Sequence, residues 1–116
     1  MVKRGKAEYV PARGDIIWLS FSPQSGHEQA GRRPALVLTP RAYSERRPFA
    51  LCCPITSQAK GYPFEVEISI SKVRGVVLAD QAYTFDRKSR RAEFIGKAPS
   101  AVVEDVGNLV ATLARG

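Results

Sequence analysis

Between Gly26 and Pro34 the chain collects its single histidine, a carboxylate, an amide and two arginines, in the order Gly26-His27-Glu28-Gln29-Ala30-Gly31-Arg32-Arg33-Pro34. A histidine titrates near neutrality, a carboxylate can take a proton, and an arginine holds a fixed positive charge toward a phosphate. Together these groups suit attack of an RNA 2′-hydroxyl on the neighbouring phosphate. Such attack needs a base for the hydroxyl, charge stabilisation for the phosphorane and an acid for the departing 5′-oxygen. The same residues would also make an ordinary solvated loop whose glycines permit the turns. A second polar set, Thr56, Ser57 and Gln58 with Lys60, follows an apolar run. It brings a hydroxyl and a cation to a strand end, where a threonine can equally cap its own backbone. Asp80-Gln81 offers a third carboxylate and amide, open to pairing with backbone or an arginine as much as to a direct role.

These groups need a scaffold, and the hydropathy pattern predicts mostly strands. Gly14 to Phe21 is rich in β-branched and aromatic residues; Ser22 to Arg33 is polar, holds Pro23, Gly26 and Gly31, and reads as a long loop. Pro34 to Thr39 and Phe49 to Ser57 are further apolar strands, separated by the charged, proline-bounded stretch Pro40 to Pro48. Phe64 to Ile70 alternates apolar and polar residues strictly, as a strand with one wet face must. Gly75 to Tyr83 and Ala92 to Ala98 complete about six strands joined by short links. That pattern implies a strongly curved antiparallel sheet or barrel, mainly β. Only the end is helical in period: Val102, Val106, Leu109 and Leu113 recur at steps of four and three, with Ser100 as the expected N-cap. Trp18 and Phe21 fall in the first strand and are expected in the core, leaving Tyr43, Tyr62, Tyr83 and Phe85 less determined.

The 116 residues and 12.7 kDa suffice for one domain spanning 1–116, with 1–12 expected as a flexible lead-in. Eighteen basic against eleven acidic residues leave a formal charge of +7, which on so small a domain points to a polyanionic partner. Twelve of the eighteen cations are arginines, favouring bidentate contacts over diffuse attraction. The adjacent Cys52 and Cys53 would face opposite sides of a strand, so no disulfide is expected between them. With one histidine and no spaced cysteines, neither a metal nor a cofactor site is expected. The N-terminus lacks the apolar stretch of a signal peptide, and no segment is long and apolar enough to span a membrane. A cytoplasmic location is the expectation.

Three ordered segments, GDIIWLSFSPQSGHEQAGRRPALVLTP, CCPITSQAKGYPFEV and GVVLADQ, resemble the MazF/PemK family of toxins from bacterial toxin–antitoxin pairs. The resemblance runs over nearly the whole chain, from about Gly14 to the terminal helix. It implies a small SH3-like (PemK-like) barrel with a C-terminal helix, a two-fold homodimer, and metal-independent endoribonuclease action at short motifs in single-stranded RNA or mRNA. Products would carry a 2′,3′-cyclic phosphate and a 5′-hydroxyl, and a cognate acidic MazE/PemI-like antitoxin would neutralise the toxin. Residue by residue, Arg33 and Thr56 match the family's catalytic pair, and His27 and Glu28 match positions implicated in activity or RNA contact. An arginine is a poor proton acceptor, which favours Arg33 as phosphorane stabiliser and His27 or Glu28 as base. Gln29, Arg32, Ser57, Gln58, Lys60, Asp80, Gln81 and Arg87 are the expected RNA-contacting residues. The chain departs from the plasmid-borne branch at Leu78-Ala79, where that branch carries an arginine ahead of its Asp-Gln pair. Supporting charge then falls to Lys60, Arg87 or Arg32, and the sequence does not select among them. A non-catalytic nucleic-acid-binding barrel with the same basic rim is the alternative.

Overall fold

The computed structural model describes residues 8–20 and 31–116. Seven strands carry the fold: β1 (Asp15–Ser20), β2 (Arg32–Val37), β3 (Phe49–Thr56), β4 (Glu65–Ser69), β5 (Arg74–Leu78), β6 (Tyr83–Asp86) and β7 (Glu93–Lys97). A short helix α1 (Arg41–Arg46) links β2 to β3, a 3-10 turn (Ala79–Gln81) follows β5, and a long helix α2 (Ser100–Arg115) ends the chain.

The apolar runs in β1, β2 and β3 are continuous because the sheet buries both faces there. One face packs Ile16, Leu36, Cys53, Ile55 and Val77 under Val106 of α2. The opposite face packs Ile17, Leu19, Ala35, Val37, Cys52 and Phe85. Cys52 and Cys53 therefore lie in different clusters, as strand alternation requires, and neither is in a disulfide.

All pairings are antiparallel, in the order β4-β5-β3-β2-β1-β7. β3 is the hub, pairing with β2 along one part of its length, with β6 over Phe49–Cys52 and with β5 at Ile55–Thr56. The change of partner falls at Cys53-Pro54. A bulge between Ile16 and Ile17 bends the β1–β7 pair. The result is a half-barrel whose outer strands approach through side chains: a Cβ on Gly96 of β7 would stand 3.1 Å from Cδ1 of Ile70, just beyond β4.

Local departures from the sequence reading have local causes. The single strand expected over Gly75–Tyr83 is two, because the chain turns through Ala79–Gln81 between β5 and β6. The unassigned stretch 40–48 holds α1. Ser100 is not the N-cap: Pro99 takes that position, its carbonyl accepting from the amides of Val102 and Val103, with no side-chain cap. Of the expected lead-in, residues 8–12 are held against the sheet. The buried Asp15 carboxylate accepts from the Tyr9 hydroxyl, from the Ala12 amide at 3.0 Å and from Lys97 Nζ at 2.7 Å. Among the described residues, no helix is long and apolar enough to cross a membrane.

Burial pushes both thiols up to about 12, with Asp80's charge adding to the effect at Cys53 and the neighbouring Tyr83 hydroxyl partly opposing it at Cys52. At pH 8 the thiolate population should then be about 10³-fold below that of an ordinary cysteine. Alkylation by iodoacetamide, followed by mass spectrometry, should be slower by about that factor in the native protein than in denaturant. Rapid labelling of either cysteine in the folded state would contradict this packing.

Candidate active site

At one end of the half-barrel β1, β2, β3 and the β4–β5 hairpin enclose an open cleft of about 320 Å³. Trp18, Pro34 and Ile55 give it apolar walls, and Arg33, Thr56 and Ser57 bring polar groups to it. Strand pairing sets this meeting. Ala35 faces Pro54, and carrying that antiparallel register two residues toward the strand ends brings Arg33 abreast of Thr56 on one face. Trp18, expected in the core, is half-buried and forms a wall of the cleft instead, because its side of β1 passes beyond the cover of α2.

Thr56 Oγ1 accepts a 3.1 Å hydrogen bond from the Gln58 amide. This is the local turn a strand-end threonine can make, and it leaves the hydroxyl's own proton to donate elsewhere. The following loop is pinned from its far side, where the Glu65 carboxylate accepts from the amides of Lys60 at 3.1 Å and Gly61 at 3.0 Å. Gly75 fixes the near side. A Cβ there would lie 2.1 Å from the Thr56 carbonyl oxygen and 3.0 Å from Ser57 Cα, so the β5 backbone fits against β3 only because no side chain intervenes.

The remaining expected residues are spread more widely. Arg32 lines the cleft, but its guanidinium is tied to the sheet, donating to Ser20 Oγ at 2.7 Å, to the Arg91 carbonyl at 2.8 Å and to Glu93 Oε1 at 3.0 Å. Gln58 and Lys60 are exposed on the loop after Thr56. Asp80 and Gln81 are exposed in the 3-10 turn and do not line the cleft. Arg87, expected to contact RNA, does not line this cleft. It follows β6, which pairs with the far end of β3, and it donates to the Glu8 carboxylate at 2.7 Å. Seven residue steps along β3 separate that end from Thr56, about 23 Å of strand. His27, Glu28 and Gln29 lie outside the described residues. Two cleft cations escaped the sequence reading, Lys72 and Arg74 of the β4–β5 hairpin. Their only sequence signal is a pair of cations flanking a buried valine.

A larger cleft of about 710 Å³ lies between α2 and the start of β1. It is lined by apolar groups such as Leu38, Leu51 and Val110, with Lys97 and Glu104 at its edges. Its lining also holds Arg13 and Ser100, but Arg13 Nε is committed to the Leu38 carbonyl at 2.8 Å and Glu104 adds negative charge, so the smaller cleft is the better seat for chemistry on an anion. Among the described residues no three His, Cys, Asp or Glu side chains gather as a metal site would require.

The family model of the PemK-like, MazF-like toxins of type II toxin–antitoxin systems matches residues 12–114. The chain belongs to that family. It is 49% identical to the endoribonuclease toxin MazF of Escherichia coli K12 over 86 residues, covering 74% of this chain and 78% of that protein. It is 39% identical to the endoribonuclease toxin ChpB of the same organism over 111 residues, covering 90% and 91%. Among solved structures, MazF of Deinococcus radiodurans superposes with a TM-score of 0.83 at 49% identity, covering 94% of this chain and all of that one. A MazE–MazF complex from that organism gives 0.86 at 50% identity, covering 92% and 97%. The half-barrel with its terminal helix is thus the fold of MazF.

In this PemK/MazF-family toxin Gly75 should be intolerant for a reason local to the cleft. Gly75→Ala forces the Thr56–Ser57 backbone to move and should lower stability by about 1–3 kcal/mol. RNA cleavage should fall further than the folded fraction does. Gly107→Ala is the comparison: nothing lies within 4 Å of a Cβ there, and the residue sits inside α2. That change should raise stability by about 0.5–1 kcal/mol. Urea denaturation with parallel cleavage assays reads both, and an unaffected Gly75→Ala would contradict the close approach.

Proposed function

We propose that this toxin is a metal-independent endoribonuclease that cuts single-stranded RNA by attack of a 2′-hydroxyl on the adjacent phosphate. One observation carries the reading. Arg33 and Thr56 converge on a cleft whose described lining includes four cations and no carboxylate, the electrostatics of a site for a phosphodiester. The endoribonuclease names of MazF and ChpB support the same activity.

In the reaction the 2′-oxygen bonds to phosphorus and the bond from phosphorus to the 5′-oxygen breaks. The hydroxyl proton passes to a base, and the leaving oxygen receives a proton. Arg33 meets the negative charge that builds on the phosphorane, and its fork can span two non-bridging oxygens. Thr56 donates its hydroxyl proton to the same phosphate while its oxygen remains held by the Gln58 amide. The base is His27 or Glu28, which precede β2 in the sequence. The products carry a 2′,3′-cyclic phosphate and a 5′-hydroxyl. The active species is a homodimer, and a cognate antitoxin with an acidic segment blocks the basic cleft by charge complementarity. MazF of D. radiodurans has been solved with MazE, in keeping with such a partner.

Removing one donor to a developing oxyanion costs about 10² to 10³ in rate, so Arg33→Ala should lose cleavage by at least that order while remaining folded. Arg33→Lys should recover little, because an ammonium supplies a point charge without the planar fork. Excess EDTA should leave cleavage intact. An RNA bearing a single 2′-deoxy nucleotide at the cut position should bind and remain whole. Abolition by the chelator or cutting of the deoxy substrate would overturn the mechanism. Tight RNA binding without any cleavage would favour the non-catalytic barrel.

A further inference from the structure

We propose that Lys72 and Arg74 form a phosphate clamp, holding a second backbone phosphate of the RNA strand beside the scissile one. The proposal rests on the reading of the cleft as an RNA-cleaving site and names how that site sets the position of its substrate.

Three observations carry it. First, both residues line the same cleft as Arg33 and Thr56, although sixteen positions or more separate them from Thr56 in sequence. The β4–β5 hairpin delivers them: Ile70 and Val73 exchange backbone hydrogen bonds of 2.8 and 3.3 Å around a tight turn holding Lys72, and Arg74 opens β5. Val73 between them is buried in the core, which anchors the turn and leaves its two neighbours exposed.

Second, their charges are uncommitted. Among the described residues neither side chain makes a hydrogen bond or an ion pair. Arg32, the other cation beside Arg33, is by contrast fastened to β1 and β7 through Ser20, the Arg91 carbonyl and Glu93. Glu67 shares a neighbouring depression with Arg74 without pairing to it.

Third, the placement is fixed from behind. Gly75, next to Arg74, is pressed against the Thr56 carbonyl, so the hairpin and the catalytic threonine cannot drift apart. Two cations held at a set distance from an arginine and a hydroxyl acting on one phosphate suit the next phosphate of the same strand. Such contacts are equally strong in the ground and transition states, so they set affinity and register rather than the chemical step.

The probe is an RNA oligonucleotide carrying a cut site mapped for this protein, made uncleavable by one 2′-deoxy substitution at that site. Lys72→Ala and Arg74→Ala should each weaken its binding roughly tenfold at low salt. Each should reduce the slope of log affinity against log salt, and the double variant should reduce it by about 0.7, the single-strand value for one phosphate. With the cleavable RNA, KM should rise and kcat stay within about twofold. Lys88→Ala, an exposed cation paired to Glu8 and outside the cleft, serves as the charge-matched control and should do neither. A scan placing one neutral methylphosphonate at each linkage should find a single position that costs the native protein the same affinity and costs the double variant nothing further.

The clamp is refuted by an unchanged slope in the double variant, by a loss that falls on kcat, or by a loss spread evenly over all linkages. It is refuted equally if the variants lose only binding of an acidic peptide while RNA binding persists. Retained cleavage in Arg33→Ala would instead sink the underlying assignment of the site. Loss of cleavage there with a silent double variant would sink the clamp alone.

Discussion

Where β5 passes the end of β3, two backbones come closer than any pair of side-chain-bearing residues allows. The absent Cβ of Gly75 is what lets the Thr56 carbonyl and Ser57 Cα occupy their places. The chain leaves β3 at that point to reach β4, which lies on the opposite edge of β5. Everything polar at the cleft's rim depends on this exit. It sets where the Thr56 hydroxyl stands, where the loop from Ser57 begins, and how near the hairpin cations come to Arg33. Packing of this kind is unforgiving because backbone, unlike the end of a long side chain, has no rotamer into which it can retreat.

Two adjacent arginines show how strand alternation divides labour. Arg32 and Arg33 are chemically identical and successive, yet β2 sends them to opposite faces. Arg32 falls opposite Ser20 and finds acceptors on three segments, so its charge serves to tie β2 to β1 and β7. Arg33 falls opposite Leu19 and runs out beside Thr56. A one-residue slip in the β1–β2 register would exchange their environments and bring Arg32 rather than Arg33 beside Thr56. The apolar pattern of Ile16, Ile17, Leu36 and Val37, buried on both faces, holds the register where it is.

Legibility in the sequence followed how local each signal was. β4 was readable because its alternation is complete within five residues, and β1 and β3 because their β-branched, aromatic and apolar runs end at turn formers. The break between β5 and β6 was not, since LADQAY contains neither glycine nor proline and the turn is set by tertiary packing of Ala79. α1 carries no apolar period, and only Ser44 of its six residues is buried. Of the site, Arg33 and Thr56 were legible through the family resemblance, and pairing of β2 with β3 explains why residues so far apart in the chain meet. Lys72 and Arg74 were not, because charge along a sequence says nothing of which end of a barrel a hairpin will reach. Arg87 shows the same limit in reverse: an equal charge, delivered by β6 to the other end of β3.

The cleft thus separates two duties onto parts of unequal constraint. Arg33 and Thr56 sit on paired strands in the middle of the sheet order, where a shift of either would break ladder bonds and unpack both cores. Lys72 stands on a tight turn and Arg74 at a strand's first residue, both exposed, where a change of side chain disturbs neither core nor ladder. On the proposed mechanism, substitution at the hairpin alters which RNA is held, and how tightly, without touching Arg33 or Thr56. The half-barrel holds Arg33 and Thr56 on buried paired strands and leaves the hairpin cations open to substitution.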